Sequence, residues 1–242
     1  MADVHGWRAT LRSWANQAHD RIAGSTGLEG EAGAAALESA RELREAARRP
    51  WRVRATRRAI GVAVVRGLDR MASVVASSPA PIEDIDTLDQ YAGRTRHGVT
   101  AALTVVQGTL FAGAAATDGG GGPPAVVLDA GVAQVASVLT GLAEWYFVGS
   151  YTVFLLRRAQ LSAEPHELRR IVNAAMLSRF ETIDPDLLDP GAEGRLILRW
   201  IGRGVADVVP LVSGLPTQRV RRAGRRLEGS DLGALLASLR QP

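Results

Sequence analysis

Residues 98–156 contain neither arginine nor lysine, and only three acids, Asp118, Asp129 and Glu144, fall among them. Arginine returns at once on both sides, as Arg94 and Arg96 before the block and Arg157 and Arg158 after it. A segment with so little charge cannot be solvated along its length. It has to be covered, by lipid or by the rest of the chain. That requirement fixes the organisation of the whole molecule as an arginine-rich front, an apolar middle and an arginine-rich tail. The front carries 15 of the 29 arginines and the tail carries the other 14.

The block divides in two. "GVTAALTVVQGTLFAGAAA", residues 98–116, is uncharged throughout, and its 19 residues fall within the roughly 17–25 that span a bilayer. "TDGGGGPPAVVLD" then interrupts it, and apolar sequence resumes to residue 156. The interruption reads as a tight reversal. Gly119, Gly120, Gly121 and Gly122 supply permissive backbone angles, Pro123 and Pro124 suit the first turn of a helix, and Asp118 keeps the tip in water. Small residues recur at every fourth place in both arms, as Gly108, Ala112 and Ala116 in the first and Ala133, Ser137 and Gly141 in the second. Two such stripes let helix backbones approach closely. A reversal between Gly120 and Gly121 pairs positions whose numbers sum to 241, which sets Gly108 against Ala133 and His97 against Glu144. Glu144 is therefore expected to pair with His97, Arg94 or Arg96. Whether lipid or protein surrounds the hairpin stays open at this level. The first arm is poor in leucine and isoleucine, and an acid inside a span is costly unless paired.

The flanks read as helices. "WRATLRSWANQA" sets Trp7, Leu11, Trp14 and Ala18 on one face. "EGEAGAAALESARELREAARR" is rich in strong helix formers, and Pro50 stops it. In the next segment Ile60, Val64, Leu68, Met71 and Val75 form one apolar stripe. "SSPAPIEDID", residues 77–86, is a loop and the candidate boundary between a front region, 1–80, and a core, 81–242. "SAEPHELRRIVNAAML" predicts a helix entered through Ser162 with Pro165 in its first turn. "RLILRWIGRGVADVV" predicts another, and short helices follow at about 217–227 and 231–240. No segment alternates with the two-residue period of a half-buried strand. The fold class is all-α, a multi-helix bundle built around the antiparallel apolar hairpin.

Much chemistry is excluded. Without cysteine there are no disulfides, thiolate metal sites or thiol nucleophiles. The missing lysine rules out a GxxxxGK[ST] phosphate loop and a Schiff base. His5, His19, His97 and His166 are scattered without metal spacing, and no GxSxG nucleophile turn occurs. "EDID" at 83–86 and "DPD" at 184–186 precede helices, where acids ordinarily cap. No cofactor or metal is expected. The net charge of +4 favours anionic partners. "RRPWRVRATRR" at 48–58 and "RVRRAGRR" at 219–226 could grip a nucleic acid, but beside so apolar a middle block a lipid-facing or solvated basic surface is the better reading.

"LFAGAAATDGGGGPPAVVLDAGVAQVASVLTGLAEWYFVGSY" resembles the central signature of the EcsC family. There a small, glycine-rich apolar helix meets a Gly-Pro turn, an Asp-containing apolar segment follows, and a long helix ends near a tyrosine. "SAEPHELRRIVNAAML" is similar to the proline-marked helix start that follows, and "VVPLVSGLPTQRVRRAGRRL" to the C-terminal turn and basic helix. The likeness covers about residues 45–227, which it implies to be one integrated domain. In "SGLPTQ", Pro216 and Thr217 stand where the family has a glycine-rich segment with an asparagine, so no contact of that asparagine carries over. The resemblance implies a bacterial helical protein working near membranes, with an ABC transporter as a partner suggested by the family alone, and it implies no activity. The expectation is a membrane-associated accessory protein at the cytoplasmic face of the cell membrane. The alternatives are a soluble helical protein binding an apolar ligand or a protein partner, and an enzyme using Glu144 or the loop acids as general acid or base.

Overall fold

A computed structural model describes residues 28, 30–48, 53–95, 97–98, 123–177, 215–230 and 232. Helices α1 (Gly30–Arg48), α2 (Val53–Ser77), α4 (Pro123–Arg158), α5 (Pro165–Met176) and α6 (Leu215–Gly229) are joined by α3, residues 85–95. No strand occurs among the described residues, and the protein is an all-α bundle. The helices expected before residue 28, within 99–122 and 178–214, and after 232 lie outside them.

Each helix buries the stripe that its sequence period defines. In α2 Val64, Leu68, Met71 and Val75 are buried, and Ile60 packs beside them half-covered. In α1 most of the buried positions are small: Ala32, Gly33, Ala36, Ser39, Ala40 and Ala46, with Leu43. An alanine face keeps a neighbour close, and α1 and α2 share the most extensive helix–helix contact among the described elements. The approach is tightest at Gly67, where an added Cβ would lie 2.9 Å from the Cβ of Ser39. Ser39 avoids a lost hydrogen bond by donating its hydroxyl to the carbonyl of Ala35 at 2.7 Å. Ion pairs close the rim of this contact. Arg70 reaches Glu42 at 2.6 Å and Glu38 at 3.5 Å. The hydrogen bond from Arg70 holds the Glu42 carboxyl below its ordinary range.

The 36-residue α4 is about 54 Å long. From Leu139 to Leu156 it is buried around most of its circumference, and α1, α2, α5 and α6 all contact it. A helix apolar on every side belongs in a core. One buried cluster runs through the fold from Leu28 to Leu227, with Trp145, Phe147 and Tyr151 of α4 at its centre.

Connections are capped locally. The 78–84 segment is fastened to α4. Ala80 donates its N–H to the Ser150 hydroxyl at 2.8 Å, Tyr146 donates to the carbonyl of Ser78 at 3.0 Å, and Ile82 is buried. Asp84 caps α3 by accepting the Thr87 N–H at 2.6 Å, which lowers the Asp84 carboxyl pKa. The capping expected of "EDID" therefore falls to Asp84. Helix α5 starts two residues later than its sequence suggests. Glu164 is its N-cap, not Ser162, because Pro165 fixes the first helical residue and the Glu167 carboxylate returns to the Glu164 N–H at 3.0 Å. Helix α4 ends in a Schellman turn. The Leu161 N–H reaches the carbonyl of Leu156 and the Gln160 N–H that of Arg157, with Gln160 left-handed at φ 57°.

Gly67→Ala forces a methyl into the Ser39 Cβ and should lower unfolding free energy by about 1–3 kcal/mol in denaturant titration. An unchanged midpoint would show that α1 and α2 are not held at this distance.

Candidate functional site

The described half of α4 carries polar groups at buried positions: Thr140, Glu144, Ser150 and Thr152, together with the indole N–H of Trp145. Burial without partners would cost stability, so their hydrogen bonds define what this helix can do. Thr152 donates to the carbonyl of Val148 at 2.8 Å, and Ser150 donates to that of Tyr146 at 2.8 Å while accepting from Ala80. These bonds are local fastenings. Two others cross the bundle. The Trp145 indole donates to the Asn173 side-chain oxygen of α5 at 2.9 Å, with both residues fully enclosed. The Tyr151 hydroxyl donates to the Glu228 carboxylate of α6 in a short hydrogen bond. Burial, then the hydrogen bond and charge of Glu228, raise the pKa of the Tyr151 phenol and keep it protonated.

Glu144 is 1 % exposed and is not without a partner. Its surroundings follow from the packing of α3 on α4. The Tyr91 ring stacks on Phe147 with centroids 5.3 Å apart, and Leu88 and Tyr151 both meet α6 at Gly224. As numbers rise along α3 they fall along α4, so the two helices are antiparallel. Glu144 lies one turn from Phe147, toward the level of residues 94–95. Arg94 is exposed and sets its guanidinium 5.6 Å from the Tyr91 ring centroid, and His97 is exposed at the end of the described segment. The side chain of Arg96, the third expected partner, lies outside the described residues.

The hairpin divides in the same way. Gly141 is buried in α4, whereas the side chains at Ala133 and Ser137 are outside the described set, although both positions are helical. Gly108, Ala112, Ala116 and the turn Gly119–Gly122 also lie outside it. Pro123 is the first residue of α4 and Pro124 the second. Among the described residues no helix is long and apolar enough to cross a membrane. No three histidines or acids among them converge as a metal site.

The sequence did not single out Asn173, Tyr151 or Glu228. A signal for Asn173 was present: it interrupts the apolar face formed by Leu168, Ile171, Val172 and Ala175, where a polar residue implies a buried partner. A groove of about 520 Å³ opens elsewhere, between α1 and α2, over Ala46, Val62 and Ala63, with Glu42, Arg58 and Arg66 along it. It contains none of the buried α4 groups. Thus Glu144 sits in packed interior, and no nucleophile with an adjacent base opens to that groove.

The basic residues gather at surfaces. Arg157 and Arg158 are exposed at the end of α4, and Arg222, Arg225 and Arg226 are exposed on α6, whose Val220, Ala223 and Leu227 face the core. Comparison with known proteins gave no match to any family model, curated protein or solved structure.

Asn173→Ala removes the acceptor of a buried indole and opens a void. Urea unfolding should register a loss of about 2–4 kcal/mol. A loss under 0.5 kcal/mol would mean that the Trp145–Asn173 bond does not hold α5 to α4.

Proposed function

We propose that this chain is a non-catalytic accessory protein of the EcsC kind, working at the cytoplasmic face of the cell membrane. The observation that carries this reading is the segregation of charge. The long apolar segment is bracketed by arginines, of which Arg94, Arg157 and Arg158 are exposed on the bundle surface. Arginine at both ends of an apolar hairpin suits a protein held to an anionic cytoplasmic leaflet. The buried polar groups of α4 support a structural role over catalysis. Tyr151 is held protonated, Trp145 and Asn173 satisfy each other, and Glu144 is packed away from the described groove. An ABC transporter is a partner suggested by the family resemblance alone.

A second reading is favoured by a different observation. Residues 139–156 of α4 are enclosed by other helices, and a groove lies between α1 and α2. Both suit a helical protein binding an apolar ligand or a protein partner away from lipid.

Cell fractionation separates the two. The first reading predicts recovery in the membrane pellet at low salt. Release by high salt alone would identify attachment through surface arginines, and extraction by detergent but not by alkali would identify an embedded hairpin. Recovery in the supernatant at low salt would overturn the first reading and leave the second.

A further inference from the structure

The end of α4 combines features found together nowhere else among the described residues. Its last two residues, Arg157 and Arg158, are exposed. The chain then turns through left-handed Gln160 to Leu161. Leu161 is 37 % exposed and is the one exposed large hydrophobic side chain among the described residues. In a Schellman turn the residue at this place commonly packs back on the helix it follows, here against Leu156. Here the leucine keeps 37 % of its surface exposed, three residues after Arg158.

Neighbouring elements carry charge of both signs. Tyr151 ties α4 to Glu228 of α6, and Arg158 lies two turns beyond Tyr151 on the same side of α4, about 10 Å along the axis. Helix α6 turns Val220, Ala223 and Leu227 inward and leaves Arg222, Arg225 and Arg226 on its outer side. Acids are present as well. Glu83 and Asp84 are exposed on the preceding loop, and Glu164 follows the turn. Asp84 is engaged in capping α3, and Asp86 and Asp89 face Arg221 at 3.7 Å each. Arg157 and Arg158 thus precede the exposed Leu161 in sequence, and the Tyr151–Glu228 bond joins their helix to α6, which carries the exposed Arg222, Arg225 and Arg226.

We infer that Arg157, Arg158 and Leu161 form a docking surface for an anionic phospholipid bilayer. The guanidinium groups take headgroup phosphates by charge-assisted hydrogen bonds, and the leucine enters the boundary between headgroups and acyl chains. This rests on the membrane reading above and deepens it by naming the lipid class and the surface. Charge complementarity alone would equally serve a nucleic acid. The exposed leucine favours lipid, because a strand gripped by arginines gains from an aromatic platform and not from an aliphatic wedge. No large aromatic side chain among the described residues is exposed.

The test is co-sedimentation of the full chain with vesicles of equal parts phosphatidylglycerol and phosphatidylcholine, beside vesicles of phosphatidylcholine alone. The wild type should bind the anionic vesicles and bind phosphatidylcholine weakly. Arg157→Gln with Arg158→Gln should weaken anionic binding about 25-fold, at about fivefold per arginine. Leu161→Ser should weaken it severalfold, and that loss should persist when salt is raised, unlike the loss from the arginines. Arg41→Gln, exposed on α1, should bind as the wild type does. All of these positions are exposed, and unchanged circular dichroism and melting would confirm that the variants fold.

Wild type bound to anionic vesicles, with the double variant bound equally well, would overturn the docking surface and leave the membrane reading intact. No binding to either vesicle would remove both. Loss of single-stranded oligonucleotide binding in the double variant, without vesicle binding by the wild type, would assign the patch to nucleic acid and overturn the proposal.

Discussion

A helix buried around most of its circumference is stable in water only inside other helices, and α4 from Leu139 to Leu156 is such a helix. The rest of the bundle follows from covering it. Helices α1, α2, α5 and α6 each spend an apolar stripe on α4 or on one another, and α3 lies along it through the Tyr91–Phe147 stack. The closeness of this packing depends on small residues. Alanines line α1, Gly67 admits Ser39, and Gly149 admits Val75 and Trp145, whose nearest atoms lie 3.4 Å from where a Cβ would stand. Dense packing of this kind leaves few degrees of freedom to its polar members, so each of those with a resolved bond is held by a neighbour in the core.

The division between apolar interior and arginine surface also orders the polar contacts. Inside, neutral groups satisfy one another, as Trp145 does with Asn173. At the rim, ion pairs link elements distant in sequence. Arg169 of α5 meets Asp69 of α2 at 2.6 Å, and Arg70 of α2 meets Glu42 of α1. Such partly exposed pairs contribute modestly to stability, but they fix which helix faces which. With lysine absent, every such contact uses a guanidinium, whose several donors let Arg70 approach both Glu38 and Glu42.

The helical class, the stripe of α2 and the proline-marked start of α5 could be read from the sequence because each rests on a local period or a local stop signal. What could not be read depends on distance in the chain. The bond between Tyr151 and Glu228 spans 77 positions, and the fastening of Ala80 to Ser150 spans 70. Nothing local marks either. The "SSPAPIEDID" segment shows the difference. Its prolines announce a loop, yet its fastening to Tyr146 and Ser150 makes it a seam of the bundle surface and not a slack connection. The N-cap of α5 moved from Ser162 to Glu164 for a similarly specific reason: reciprocity with Glu167 outweighs the general preference for serine. Glu144 was recognisable as an acid in an apolar helix, and burial is the physical fact that the structure adds. Leu161 gave no signal, because exposure of a single leucine is decided by how the turn leaves the helix.

The absence of cysteine makes the central claim directly measurable, since a thiol introduced at one position is the only one in the chain. Val148→Cys places a near-isosteric thiol in the middle of the enclosed part of α4, and Ser162→Cys places one on the exposed turn beyond it. In the folded protein before membranes are added, Ser162→Cys should react at once with a water-soluble maleimide. With membranes added, Val148→Cys should resist both a water-soluble and a bilayer-soluble maleimide until denaturant unfolds the chain. Rapid labelling of Val148→Cys by the bilayer-soluble reagent in the folded protein would contradict the account, because it would mean that lipid, and not the protein's own helices, covers α4.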